Sequence, residues 1–422
     1  MPPAEPDPRH AISPPPQGAD RAEPGAPGRG EPAGRPPGPL AGIRVIEVAG
    51  LGASPYTAML LSDLGADVIR VDRPGTKAVR PEKYALSRGR RSVIIDMKQP
   101  AGLGAFLTLV AQADVLLEGF RPGVAERLGF GPDACLARNP RLIYARMTGW
   151  GQHGPLSQMA GHDLNYLGLT GALTLLRQQG TGPVTPPGLI ADFGGGGLML
   201  AFGIACALVE VHRSGTGQVI DAAMTDGVAS LTTLIYAMTA QGRWVDEPGT
   251  NFCDGGSPYY NSYETSDGRY VAVAPIEPQF YAVLLDKLGL SPDDLPDRDD
   301  KANWPRLKKL FAGIFATRTR DEWAEIFDGS DACVTPVLSF TEAPHHPHNA
   351  ARSTFTEAFG VTQPAPAPRF SRTPGMIAGA PPAPGAQSAG VLRDWGFPRS
   401  DVDELLASGA VRDESNDVSR QW

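Results

Sequence analysis

Between Ile43 and Arg146 the chain repeats one pattern: a short run of aliphatic, often β-branched residues, then a longer run with apolar residues at helical spacing. Ile43–Val48, Asp67–Asp72, Ser92–Asp96, Asp114–Glu118 and Leu142–Arg146 read as strands. Residues 54–65 and 101–112 read as helices, the first with Met59, Leu60, Leu61 and Leu64 as its apolar face. Strands that alternate with helices predict an α/β fold. A parallel neighbour needs a crossover, and the crossover helix lands on one face of the sheet.

Further along, residues 191–213 read as a long apolar helix that opens on a glycine run, and a second helix is expected near 223–241. The character then changes. Tyr259–Glu264 and Gly268–Ile276 read as a hairpin turning at Ser266-Asp267-Gly268. Helices at 278–288, 304–317 and 320–328 and a strand at 333–338 complete a smaller α+β domain. Residues 363–386 are Pro-rich and expected to be extended, and Val391–Ala410 suits short helices. Residues 1–38 carry almost no large apolar side chain, so they cannot offset their ordering entropy and are expected to form a disordered extension.

Composition narrows the function classes. The 422 residues are 41% hydrophobic and 20% charged, as in a globular protein with a sizeable core, and the net charge of -8 argues against general nucleic-acid binding. No run approaches the roughly 20 apolar residues of a membrane span, so no membrane partner is expected. Cys135, Cys206, Cys253 and Cys333 are scattered, without CxxC or metal-ligand spacing. With no signal-peptide pattern, and Arg420-Gln421-Trp422 not a peroxisomal address, this fits reduced thiols in a cytoplasmic protein. His345, His346 and His348 are interrupted by Pro347 and lack a carboxylate at ligand spacing, so no metal site is expected.

Two features raise nucleotide chemistry. Gly50-Leu51-Gly52-Ala53-Ser54-Pro55 falls one glycine short of the dinucleotide fingerprint and reads better as a strand-to-helix turn, with Ser54 as N-cap and Pro55 at the first helical position. Residues 73–98 hold Arg73, Lys77, Arg80, Lys83, Arg88, Arg90, Arg91 and Lys98 against Glu82 and Asp96, a local charge of +6 that suits several phosphates or a solvated basic surface.

Three segments carry the candidate chemistry: Gly161-His162-Asp163-Leu164-Asn165-Tyr166, Ala191-Asp192-Phe193 with the glycines 194–197, and Ala274–Phe280 around Glu277. Each acid also has a local role open to it, Asp163 in a first helical turn and Asp192 as an N-cap. Four consecutive glycines cost roughly 0.5–1 kcal/mol each in a helix, which points to a ligand or another chain passing close to the backbone.

These segments, with Pro39–Glu47, Leu64–Pro74, Glu118–Gly123, Tyr144–Gln152 and Asp331–Val337, make the chain from Pro39 to about Gly409 resemble the class III CoA-transferase superfamily, on its racemase side. The resemblance implies a Rossmann-like large domain over 39–225, a linker and small domain over 226–345, and a return segment over 346–422 that completes the large domain. It implies an obligate homodimer with interlocked subunits. It places His162 and Asp192 as an acid–base pair, Glu277 as an acid supporting the histidine, and Asp163 where transferases carry a nucleophile. Arg73, Lys98 and Arg127 match basic residues near CoA, and Arg88 and Arg91 join them as candidates from the basic stretch. The substrate would be an acyl-CoA, with CoA as part of it and no separate cofactor.

Inverting the carbon next to a thioester needs two acid–base groups on opposite faces of a planar enolate, and backbone N–H groups at a helix start, such as that of Asp163, to hold its oxygen. Reference values for imidazole and carboxyl make the neutral-histidine, protonated-aspartate form costlier by about 3.5 kcal/mol in water. Burial of Asp192 against Phe193 and Leu198 would narrow that gap, while Glu277 would orient the imidazole. The competing expectations are a CoA transferase using Asp163 covalently and a non-catalytic CoA-binding dimer.

Overall fold

The computed structural model describes residues 38–77, 80–177 and 180–414. The extension expected over 1–38 lies, but for its last residue, outside them. The described chain begins with β1 (Arg44–Val48), α1 (Ala53–Asp63), β2 (Asp67–Asp72) and β3 (Arg91–Ile95). It continues through α2 (Pro100–Val110), β4 (Val115–Glu118), α3 (Val124–Arg127), α4 (Pro132–Arg138), β5 (Ile143–Thr148) and α5 (Asp163–Leu169). A π-helix (Leu189–Leu198) runs directly into α6 (Met199–Ser214), followed by β6 (Gln218–Ala223), α7 (Met224–Leu231) and α8 (Thr233–Ala240).

β1 to β6 pair in parallel, in the order β3-β2-β1-β4-β5-β6. The chain leaves β1 to build one side of the sheet and returns to β4 to build the other. Successive strand residues face opposite ways, so one strand feeds two cores. Ile46, Val48, Ile69, Val71 and Leu116 meet Phe106 and Leu109 of α2 on one face. Val45, Val68, Val115, Leu117 and Ile143 meet Ala58 and Leu61 of α1 and Leu200 and Ile204 of α6 on the other. Both faces are covered, which is why these strands are near-continuous apolar runs. β6 escaped the sequence reading because it is an edge strand whose alternating, half-exposed Gln218-Val219-Ile220-Asp221 has no such run.

A second, three-stranded sheet and its helices follow: β7 (Asn261–Glu264), β8 (Tyr270–Val273), α9 (Pro278–Leu288), α10 (Trp304–Phe315), α11 (Arg320–Phe327) and β9 (Val334–Pro336). Its three strands pair antiparallel, and its core is aromatic, with Tyr263 stacked on Phe315 at 5.3 Å and Phe315 edge-on to Trp323 at 5.1 Å. After α12 (Pro347–Ala351) comes a hairpin of β10 (Phe355–Ala358) and β11 (Val361–Pro364). α13 (Ser388–Asp394), α14 (Arg399–Ala407) and β12 (Val411–Arg412) then lie on the first sheet. β12 adds antiparallel to β3, the seventh strand, and Trp395 sits fully buried in the core under α2.

Two helical expectations change. The stretch expected at 223–241 breaks at Thr232 into α7 and α8. The helix expected from 191 starts earlier and in π register, and the 26 residues Leu189–Ser214 are apolar enough to cross a membrane by length and composition, against the sequence expectation. Leu200, Ile204, Ala207 and Val211 of this stretch are nevertheless buried, the first three in the core beneath the sheet.

Candidate active site

The strand order reverses between β1 and β4, and loops from neighbouring strands diverge at their carboxyl ends there, leaving a crevice. An open cleft of about 620 Å³ occupies it. Gly50, Leu51 and Gly52 after β1, Phe120 and Arg121 after β4, and Trp150 after β5 form its walls. The loop after β4 is pinned by Glu118, whose carboxylate accepts the Phe120 N–H at 2.6 Å and the Arg146 Nε–H at 2.8 Å, while Arg146 also reaches Glu126. The loop after β5 is pinned where Thr148 Oγ1 accepts the Gly151 N–H and Asp221 accepts the Gln152 N–H.

His162 and Asp192 both line this cleft. His162 is the N-cap residue of α5, with its own N–H donated to Asn165 Oδ1 at 3.0 Å, so the imidazole is set at the mouth of a short helix and stands exposed. Asp192 is not an N-cap. It sits inside the π-helix, whose N-cap is Gly188, and is half-buried. A Cβ on Gly52 would lie 3.4 Å from its Oδ2, so the bare turn after β1 leaves room for the carboxyl. α1 accordingly starts at Ala53 with Gly52 as its N-cap, two residues earlier than the Ser54 cap expected. Burial pushes the Asp192 carboxyl up from the ordinary aspartate range. The nearby Asp163 adds to this and His162 opposes it. Leu198, expected to help bury this carboxyl, is itself 54% exposed. Phe193 packs on Tyr56 of α1 at 4.8 Å.

The glycine run answers to the chain itself. A Cβ on Gly195 would stand 2.8 Å from Val228 N of α7, and one on Gly197 would stand 2.8 Å from Ala53 O of α1. Neighbouring helices pass where side chains would be. No ligand is needed to explain the run.

Asp163 is buried and does not line the cleft. Glu277 is the N-cap residue of α9, exposed and outside this cleft. Tyr166 and Trp150 line the cleft, edge to face at 4.8 Å, and neither was singled out from the sequence. Burial first, then the charges of Asp192 and Asp163, push the Tyr166 phenol up to about 12. Its place three residues after Asp163, on one helical face, was the available signal.

The basic candidates divide. Arg73, Lys98 and Arg127 stand exposed after β2, β3 and β4, on the carboxyl edge of the sheet that also carries the cleft, and their side chains make no ion pair among the described residues. Arg121, which sequence reading passed over, lines the cleft directly. Arg88 is different. Its Nε and Nη2 bind Asp63 at 3.1 and 2.6 Å and its Nη1 binds Gln363 Oε1 at 2.7 Å, all buried, so it ties α1 to β11 and offers nothing to a phosphate. Arg91 is at the amino end of β3, paired to Asp67 at 2.9 Å and Asp394 at 2.6 Å, on the opposite edge from the cleft. These two are withdrawn as CoA ligands. Among the described residues no group of three or more His, Cys, Asp and Glu could hold a metal ion.

Comparison with known proteins agrees over nearly the whole described chain. Residues 40–388 match CoA-transferase family III. The chain is 47% identical over 377 residues to α-methylacyl-CoA racemase of Mus musculus, covering 89% of this chain and 98% of the mouse protein. It is 45% identical to the Homo sapiens racemase, covering 90% and 98%. Acetyl-CoA:oxalate CoA-transferase of Acetobacter aceti is 30% identical over 78% of this chain and 88% of its own. Among solved structures, a CAIB/BAIF family protein from Brucella suis superposes with a TM-score of 0.73 at 26% identity, over 85% of this chain and all of that one.

Proposed function

The chain belongs to CoA-transferase family III, and from that premise we propose that it is an α-methylacyl-CoA racemase, interconverting (R)- and (S)-2-methylacyl-CoA thioesters. The observation that carries the proposal is that His162 and Asp192 open onto one cleft while Asp163, the position of a transferase nucleophile, does not. One of the pair removes the α-proton and the thioester becomes a planar enolate. The other delivers a proton to the opposite face, and the product leaves with inverted configuration and the pair in its other proton state. The enolate oxygen calls for backbone donors at the cleft, and the start of α5, where His162 is the N-cap, is the helix mouth proposed to supply them. The chemistry calls on no cofactor beyond the CoA of the substrate itself. Arg121, with Arg73, Lys98 and Arg127 on the same edge of the sheet, is the anchor proposed for that CoA.

The protein is proposed to work as an interlocked homodimer. Phe202 and Val209 on α6 and Leu234 and Tyr236 on α8 are more than 60% exposed, which supports a second chain over these helices. In such a dimer a second copy would bring its small domain, with its Glu277, over the cleft.

The deciding experiment is incubation with (R)-2-methylacyl-CoA in heavy water without any acceptor acid. Loss of chirality together with deuterium at the α-carbon is expected. His162→Ala should stop turnover from both enantiomers, whereas Asp192→Asn should still exchange deuterium from one of them. CoA transfer on adding a carboxylic acid, with an acyl group trapped by hydroxylamine and no racemisation, would establish the transferase instead.

A further inference from the structure

The proposed racemisation uses the imidazole at 162 and the carboxyl at 192 and gives the Asp163 side chain no task, yet that side chain is held in an unusual place. Its Oδ1 accepts two backbone hydrogen bonds, from the Ala191 N–H at 2.7 Å and from the Asp192 N–H at 2.8 Å. The residue is only 6% exposed, and its Oδ2 is buried without a hydrogen-bond partner among the described residues.

The start of the π-helix explains the need. A helix leaves its first N–H groups without intrahelical acceptors, and an N-cap side chain ordinarily supplies one. Here the N-cap is Gly188, at φ 72°, which has no side chain to offer. A residue with a side chain would also be strained at that positive φ. The missing acceptor therefore has to come from elsewhere, and a carboxylate is favoured where the helix dipole is positive.

We infer that Asp163 is a positioning residue, a cap supplied from α5 that clamps the first turn of the π-helix and so aims Asp192 into the cleft. His162 is its immediate chain neighbour, so one carboxylate fixes the backbone beneath both members of the acid–base pair. The separation of imidazole and carboxyl is then set by two hydrogen bonds rather than by the chain that connects α5 to the π-helix. A carboxylate with one oxygen shared between two N–H groups and the other enclosed has no lone pair presented to a thioester carbon. In this chain Asp163 serves proton transfer, not covalent attack. This inference rests on the racemase reading for its kinetic consequence and on geometry alone for the clamp.

The test compares Asp163→Ala with Asp163→Asn in the full-length protein. Asparagine keeps an oxygen that can accept both N–H bonds, and alanine keeps none. Hydrogen–deuterium exchange of the peptide spanning 188–193 reads the clamp directly, whatever the enzyme catalyses. Faster exchange in Asp163→Ala than in wild type, restored by Asp163→Asn, is expected, and equal exchange in all three proteins would overturn the clamp. With 2-methylacyl-CoA, Asp163→Ala should lose about 100-fold in kcat, the scale of an ångström's misplacement of a reacting group, with KM nearly unchanged and most of the loss recovered in Asp163→Asn. A wild-type kcat in Asp163→Ala would overturn the positioning role. If wild type fails to racemise while the exchange pattern holds, the reaction has been misassigned and the clamp has not.

Discussion

A carboxyl that must both take and give a proton works best when it holds that proton more tightly than a solvated aspartate does, and burial raises the proton affinity of Asp192, the proposed partner of His162, in that direction. The consequence for pH dependence has a definite sign. Below the acid limb of kcat/KM both groups of the pair are protonated and no base remains. As pH rises one proton leaves and activity appears. Because burial and the charge of Asp163 raise the affinity of Asp192 for its proton, the acid limb is expected above the ordinary carboxylate value of about 3.9, as an apparent constant of the pair. A limb at or below that value in a pH–rate series would contradict this picture. Arg73 and Arg88 make a second contrast at this scale. Arg73→Ala should raise KM for the CoA thioester with little change in melting temperature. Arg88→Ala leaves Asp63 buried and unpaired, a loss of about 3–5 kcal/mol, and should show in denaturant unfolding while KM stays put.

The π-helix is the element on which the site depends. Its glycines let α1 and α7 approach until backbone meets backbone, and that contact holds the turn bearing Asp192 against the sheet. Gly195→Ala would press a methyl onto Val228 N, and overpacking of this kind costs about 1–3 kcal/mol. The expected outcome is a lowered unfolding midpoint together with a loss of kcat, since the displaced turn carries the acid. An unchanged midpoint in urea would show that α7 can yield, and that the glycines are not there for packing. From the sequence the run pointed to a ligand or another chain, because a glycine run reports only that something passes close. The identity of that something is a helix 33 residues onward, at Val228, which no local pattern reveals.

At the scale of the whole molecule, the last strand among the described residues, β12, adds to the sheet that β1 begins, so the seven-stranded sheet is complete only when residues 411–412 have returned. The outward faces of α6 and α8 carry several exposed large apolar side chains. Replacing Phe202 and Val209 together by Asp should abolish the dimer in sedimentation equilibrium and the racemase activity with it, since a second copy is proposed to cover the cleft. An active double variant that sediments as a monomer would rule out that role for the partner.

The α/β class, the succession of strands up to β5 and the segments that bring His162 and Asp192 to the cleft were legible in the residues themselves. Parallel strands buried on both faces must be apolar throughout, and reactive groups must be polar where apolar residues would otherwise stand. β6 and β12 were not legible, because an edge strand or a two-residue strand needs no such run. The basic stretch 73–98 showed its charge but not its pairing: Arg88 and Arg91 are neutralised by Asp63, Asp67 and Asp394, up to 303 residues away in sequence. Likewise the turn that aims Asp192 is capped by a carboxylate 29 residues earlier. Local sequence determined which elements form and which reactive groups they carry. Tertiary structure decided which charges remain free and where each group points, because those depend on contacts between segments whose separation along the chain leaves no local trace.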